Sequence, residues 1–357
     1  MDYSPLNITS FGQALHIKGS TLHRWYRDVL SGFKEYGEKQ IHENDIKIQS
    51  GSKEKTIEVP ILKEENFGAN MTIDEKHIGE DFYTIMNNRD TGKIAMICKS
   101  VVFSEIEEVF HRHENLSDKI KSITQDFSSL YEKVCSKLFP DATQIGDKFH
   151  VILNLFESHQ AVRIKYRQKE LEKRRIAFQD FKINEQQRLE ECERTGVSFK
   201  SKKFRYTETQ LENNETPLEI LARSRYLLYK YQDQWVTSQY KRAKTLFKNY
   251  PEIEKAYKLC CQFRDWFSKK NIGQHFLQLD KQLHQWYENV EISEIDELLY
   301  FKSMVESNEE IICNYFINGE TNAKAEAINS KIQKFISSNQ GTRDRNFFFF
   351  RLSIYYT

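Results

Sequence analysis

A chain of 357 residues with 39% hydrophobic and 29% charged side chains, including 25 Phe and 18 Tyr, can bury a sizeable core and is neither a disordered tail nor a fibrous repeat. Its length predicts two or three domains, and only 13 Gly and 5 Pro leave too little turn punctuation for a many-stranded sandwich or propeller. The 53 Lys and Arg against 52 Asp and Glu give a net charge of +1, so local patches must decide for or against nucleic acid.

Residues 8 to 33 predict two short helices around His16 to Ser20, the second N-capped by Ser20 and carrying Leu22, Trp25, Tyr26 and Val29 at helical spacing. In a helix-turn-helix this second helix offers its first turns to the DNA major groove, here Thr21, His23, Arg24 and Arg27. An ordinary helical hairpin fits the same residues. From about Gly37 to Lys55 alternating charges around Gly51 and Ser52 predict a linker.

The period then changes to that of strands. NMTIDEKHI, DFYTIMNN and KIAMICKSVV, the last two joined by a turn at Asn88 to Gly92, predict three consecutive antiparallel strands between residues 70 and 102. A helix over Phe103 to Asn115 follows, then a short strand ending at Asp126, an amphipathic helix from Ser128 to Phe139, and a fifth strand in ATQIGDKFHV that leads into a long helix. From Val151 to about Asn314 the pattern is helical, interrupted by a polar loop over Glu190 to Asn214 that contains Gly196. Residues 161 to 175 carry seven basic and two acidic side chains, either a solvated helix face or a set of phosphate contacts that includes Arg163, Lys165, Arg174 and Arg175.

The six cysteines, Cys98, Cys135, Cys192, Cys260, Cys261 and Cys313, show no C-x-x-C spacing. This argues against a zinc knuckle or a disulfide framework and fits a reducing cytoplasm. With no secretion signal and no run of 18 apolar residues, neither export nor a membrane span is expected.

Three carboxylates stand out by position. Asp74 lies mid-strand in TIDEKHI, Asp126 closes ITQD, and Glu326 lies in AEAINSKIQKFI beside the apolar positions Ala325, Ile328, Ile332 and Phe335. In a ribonuclease H-like sheet the first and fourth strands are neighbours, so acids at the middle of one and the end of the other converge, and a glutamate on a later helix completes the cluster. Converging carboxylates repel unless divalent cations neutralise them, and hard oxygen ligands select Mg²⁺ or Mn²⁺. Two such ions, roughly 3.5–4 Å apart, serve phosphodiester cleavage and transfer. Taken singly, each acid also fits a surface or capping role.

The blocks TIDEKHI with DTGKI, ITQDFSSLYEKVCSKLFPDATQIGDKFHV, RSRYLLYKY with LFKNYPEIEKAYKLCCQFRDWF, AEAINSKIQKFI and RDRNFFFFRLSI occur in this order from about Met71 to the C-terminus. In this they resemble the ISL3 family of bacterial insertion-sequence transposases. The resemblance implies a DDE-type enzyme of α/β class: a ribonuclease H-like mixed sheet core with a large all-helical insertion and an N-terminal helix-turn-helix. It divides the chain into residues 1–60 (helix-turn-helix and linker), 61–155 (sheet core with the first two acids), 156–315 (helical insertion) and 316–357 (C-terminal helix with the last acid). It implies hydrolysis at the element's ends by metal-activated water, then attack of the freed 3′-hydroxyl on target DNA, using two Mg²⁺ (or Mn²⁺) ions.

Carried over by position, Asp74 is the first catalytic acid and Glu326 the last. Asp126 is taken as the second, with Asp147 of the DKFH block and His150 as a supporting or alternative pair. Aromatics at helical spacing, Trp235, Trp266 and Trp286, predict core; the alternative is that Trp266 in RDWF stacks on a base flipped from the element's end. From Lys324 onward six basic and two acidic side chains, among them Lys331, Lys334, Arg343, Arg345 and Arg351, form a patch for a DNA backbone close in sequence to Glu326.

Implied partners are double-stranded DNA (terminal inverted repeats and target) and further copies of the chain, in a bacterial cytoplasm at the nucleoid. Family members usually carry a cysteine-rich zinc-binding segment ahead of the helix-turn-helix. Since no Cys precedes Cys98, a shortened form or a separately encoded segment is expected. The rival is an inactive or domesticated remnant that only binds DNA.

Overall fold

The computed structural model describes residues 8–50, 52–318, 323–338 and 344–357. The chain divides into two compact units, Met1–His150 with Asn308–Thr357, and Val151–Ser307.

In the first unit, α1 (Ile8–Ala14) and α2 (Gly19–Trp25) flank a turn in which His16 adopts φ 56°. The second helix starts two residues earlier than predicted: Lys18 is its N-cap and no side chain caps it, so Ser20 lies inside the first turn. Wider π-type turns follow over Tyr26–Leu30 and, after a break at Gly32 (φ 74°), over Phe33–Gly37, which leads into α3 (Glu38–Ile41).

The expected linker is instead largely structured. Strands β1 (Ile46–Ser50) and β2 (Lys53–Ile57) form an antiparallel hairpin in which Ile46 pairs with Ile57, both almost fully buried. Two apolar ends suffice to dock this ribbon, while its Lys53, Glu54 and Lys55 stay exposed and give the segment its linker-like composition.

The main sheet has six strands: β3 (Ile61–Leu62), β4 (Asn70–Ile78), β5 (Asp81–Asn88), β6 (Lys93–Cys98), β7 (Ser122–Gln125) and β8 (Thr143–Gly146). Helix α4 (Phe103–Arg112) connects β6 to β7 and α5 (Ser129–Leu138) connects β7 to β8. The spatial order is β3-β6-β5-β4-β7-β8, antiparallel from β3 to β4 and parallel from β4 to β8. This mixed order is compatible with a ribonuclease H-like core, to which the two-residue β3 is an addition the sequence did not announce. The β5–β6 turn is built on Asn88, whose side-chain oxygen accepts the N–H groups of Asp90 (2.9 Å) and Thr91 (3.0 Å), and Gly92 supplies the φ of 73° that closes it.

The second unit is helical, with no strand among its described residues. Helix α6 (Lys148–Thr195) enters it and runs five residues beyond the predicted loop start, ending at Gly196 with φ 71°. After an irregular stretch come α7 (Pro217–Arg223), α8 (Thr237–Asn249), α9 (Pro251–Trp266), α10 (Phe276–Ser293) and α11 (Asp296–Ser307). Their starts follow local rules: Thr216 and Glu219 form a reciprocal capping box ahead of α7, and Pro217 and Pro251 occupy first-turn positions where no N–H is required. Phe263, Trp266, Trp286 and Phe301 pack edge-on and tilted in its core. Each such buried ring contributes on the order of 1.5–3 kcal/mol.

The chain returns to the first unit as α12 (Glu309–Cys313), α13 (Tyr315–Asn318), α14 (Ala323–Ser338) and α15 (Arg345–Tyr356). Strand alternation divides the sheet's residues between two cores. Met71, Ile73, Met86, Met96 and Ile123 face Ile106, Val109, Tyr131 and Val134 of α4 and α5. Ile78, Tyr83, Ile85, Ile94 and Ile97 face Ile332 and Phe335 of α14 and Phe347–Phe350 of α15, together with Tyr26, Phe33 and Ile41 from the N-terminal helices. At the β8 edge, Asn314 donates its side-chain amide to the Gln144 carbonyl (2.9 Å), satisfying an edge acceptor.

Candidate active site

The strand register sets the site. Ile73 of β4 pairs with Gln125 of β7, which pairs with Gly146 of β8. Asp74, Asp126 and Asp147 therefore occupy the next position on three adjacent strand paths, whose spacing is about 4.8 Å. Asp74 pairs with Ile85 on β5, so it lies on the face that α14 and α15 cover.

Each carboxylate is held by backbone. Asp74 accepts the Glu75 N–H (2.8 Å), Asp126 the Ser128 N–H (3.0 Å) and Asp147 the Phe149 N–H (2.9 Å). The Asp147 N–H donates to the Gln125 carbonyl (2.8 Å), extending the ladder by one bond. The Asp126 carboxyl is pushed up, chiefly by burial; the Ser128 N–H and His150 oppose this, and the negative charge of Asp74 adds to it. His150 Nε2 lies 3.9 Å from Asp147 Oδ2. Asp74, Asp126, Asp147 and His150 thus form one electrostatic neighbourhood. Gly146 is confined by Phe127, which would lie 2.8 Å from an added Cβ.

Next to the acids the sheet is polar where a core would be apolar. Thr72 and Asn87, paired across β4 and β5, are buried, and neither side chain has a hydrogen-bond partner among the described residues. The buried Arg89 donates from Nη1 to Thr124 (3.0 Å) and from Nη2 to Ser122 (3.3 Å), clamping β7 to the β5–β6 turn. The sequence reading missed this clamp because Arg89 sits in the turn motif NNRDTG, where a charged residue is unremarked.

Glu326 falls in the first turn of α14, and its side chain lies outside the described residues, as does Arg343. The helix itself is fixed by Ile332 and Phe335 on the sheet face that carries Asp74. Lys331 and Lys334 of the same helix are exposed. Arg345 is paired with Asp81.

Other candidates for DNA contact are placed differently from a free basic surface. On α2 Arg24 is exposed and Thr21 half-buried, whereas Arg27 donates Nε to Asp344 (2.5 Å) and Nη1 to Asp28 (2.6 Å). In the second unit Arg163 is a core residue, 6% exposed, donating to Gln160 (2.6 Å) and to the Leu221 carbonyl (2.6 Å). It shares the inner face of α6 with His159 and Val162, so its place in a basic run does not make it a surface charge. Lys165 pairs with Glu252 (3.2 Å) and Glu297 (3.6 Å), and Arg175 binds Glu172 through two nitrogens; Arg174 is exposed. Trp266 is buried, its indole N–H donating to the Leu279 carbonyl (3.0 Å), so it presents no face on which a base can stack.

A family model described as transposase, of the ISL3 type, matches residues 71–352. No curated protein and no solved structure matches the chain.

Proposed function

The chain belongs to the ISL3 family of transposases, and on that premise we propose that it cuts DNA at the two ends of an insertion sequence and joins them to target DNA, with Asp74, Asp126 and Glu326 as its catalytic acids. The observation that carries this reading is the row of carboxylates at one level of the parallel strands β4, β7 and β8, on the face that α14 covers.

Hard carboxylate oxygens on rigid strands suit Mg²⁺ or Mn²⁺, and a cation held by Asp74 and Asp126 would offset both the burial that chiefly raises the Asp126 carboxyl and the smaller repulsion from Asp74. When bound, such ions supply the charge that stabilises the attacking and leaving oxygens. The chain's own residues set the geometry. Backbone N–H groups orient Asp126 and Asp147, Arg89 holds β7 in register, and His150 orients Asp147. Hydrolysis frees a 3′-hydroxyl, whose attack on target DNA uses the same acids and needs no covalent protein intermediate.

In this reading residues 156–315 are an insertion into a ribonuclease H-like core. Thr21 and Arg24 read the element's end as part of a helix-turn-helix, and Lys331, Lys334 and Arg174 meet phosphate. A homo-oligomer holds both ends.

The test is strand cleavage of a labelled duplex bearing the element's terminal repeats, with Mg²⁺ or Mn²⁺. Wild type cuts, and Asp74→Ala, Asp126→Ala and Glu326→Ala bind but do not cut. If Asp126→Ala cuts and Asp147→Ala does not, the second acid is Asp147. If wild type binds the repeats and cannot cut them, even with a zinc-segment partner supplied, the enzyme reading fails.

A further inference from the structure

Helix α6 carries an unpartnered face that is complementary to itself. Beyond Arg163 no described residue of this helix is buried, although it continues to Thr195. One side of this outer part is covered by the chain's own return. Phe204 packs on Phe178 and Phe181 with centroids 5.0 and 5.5 Å away, Glu185 accepts the Lys202 N–H (2.9 Å), and Arg188 lies over Phe199. These helix positions, spaced by three and four, form one face.

Roughly opposite, Lys169, Ile176, Ile183 and Glu190 follow one another at intervals of seven, each step turning the helix by only about 20°. Ile176 is 48% and Ile183 57% exposed. The stripe therefore reads basic, apolar, apolar, acidic over about 30 Å of helix.

We propose that this stripe pairs antiparallel with the same stripe of a second copy of the chain. In that register Ile176 of one copy meets Ile183 of the other, Ile183 meets Ile176, and Lys169 meets Glu190 at both ends. The wider charge pattern selects the same occupant and direction. Past the buried Arg163, residues 164 to 175 hold six basic and two acidic side chains, and residues 185 to 193 hold four acidic and one basic. Antiparallel pairing sets these segments against each other, whereas parallel pairing sets like against like. A DNA backbone would be repelled by the acidic half.

Asp180 lies between the two isoleucines and near its own symmetry mate, which limits the strength of the contact. A face with two isoleucines per copy also buries less than the roughly 800 Å² per partner of a durable complex. The pairing is accordingly weak, in the range of about 1–100 μM, and sensitive to salt. It is independent of the assignment of the catalytic acids.

The experiment is sedimentation velocity on the full chain, nuclease-treated and free of DNA, at about 50 mM and about 500 mM salt. A reversible dimer is expected at low salt, weakened about tenfold or more at high salt. Ile176→Asp with Ile183→Asp gives a monomer of unchanged helix content. Lys169→Glu alone and Glu190→Lys alone each weaken the dimer, the two together restore it, and Asp180→Asn tightens it. Direction is read by mixing Ile176→Cys with Ile183→Cys protein under oxidation, where the crosslink forms between the two variants and not within either. The proposal is overturned by a monomer at every concentration in low salt, by a dimer that survives Ile176→Asp/Ile183→Asp, by a double reversal as weak as its singles, or by crosslinks within a single variant.

Discussion

Asp126 and Asp147 stand side by side past the ends of parallel strands β7 and β8, and each carboxylate accepts the N–H two residues downstream, from Ser128 at 3.0 Å and from Phe149 at 2.9 Å. His150 acts on both, standing 3.9 Å from Asp147 and lowering the carboxyl of Asp126, but Asp126 is raised chiefly by burial and senses Asp74 as well. Asn retains the accepting oxygen in either place, so it removes charge and leaves the turn. Asp126→Asn is expected to abolish cleavage, a loss of about a thousandfold or more. Asp147→Asn is expected to cost about 10–100-fold, as for a residue that orients its neighbours. Single-turnover cleavage of an end-labelled duplex measures both.

The raised Asp126 carboxyl makes a pH prediction. Its pKa in the fold exceeds that in the unfolded chain, so its contribution to stability is present below the unfolded value and lost as pH rises through the folded one. In EDTA, Asp126→Asn therefore raises the urea midpoint near neutral pH, and the gain shrinks on acidification through the carboxylate range. Mg²⁺ reverses the order, stabilising wild type and not the variant. Urea titrations at about pH 4 and about pH 7, with and without Mg²⁺, read out all four cases.

Asp344 ties the two ends of the chain together, accepting Arg27 Nε with one oxygen and the Phe347 N–H at the start of α15 with the other. Asp344→Ala removes the cap and the ion pair and is expected to cost about 1–2 kcal/mol. Asp344→Asn keeps the cap and should cost less than half as much. Denaturant unfolding followed by near-ultraviolet circular dichroism compares the two.

Trp266 separates core from DNA contact. Trp266→Phe loses the bond to Leu279 and is expected to cost about 1 kcal/mol of stability while leaving affinity for the terminal repeats unchanged. Fluorescence anisotropy with the labelled repeat checks the second part, and a tenfold loss of affinity in a folded variant would return the indole to the DNA.

Gly146→Ala pushes a methyl into Phe127, whose nearest ring atom lies 2.8 Å from the new carbon, directly before Asp147. Overpacking of this kind costs about 1–3 kcal/mol. Adding Phe127→Leu makes room and should recover most of that loss together with the cleavage rate.

How far the sequence announced this molecule depends on the range of the interaction concerned. Strands β4 to β6 were legible from two-residue alternation, and the short strand ahead of Asp126 from ITQ, because both signals are local. The β1–β2 hairpin was not, since Ile46 and Ile57 anchor it from within a run of charges. Arg163 was misplaced because local charge cannot show that the helix turns it inward onto Leu221. The Arg27–Asp344 pair joins residues 317 positions apart and leaves no trace in either segment. Positions for Asp74 and Asp126 on neighbouring strands were inferred from a likeness to other chains, and the register of β4 with β7 supplies the physical ground for it.

The sheet face of Tyr83, Ile85, Ile94 and Ile97 is closed by α14 and α15, the last helices of the chain. A ribosome adding about 5–20 residues per second leaves that face bare for tens of seconds after the strands have emerged. The nascent protein must spend that time greasy, a natural client for chaperones. A message cut short before α14 yields a product whose strands keep that apolar face without its C-terminal cover, fit for degradation.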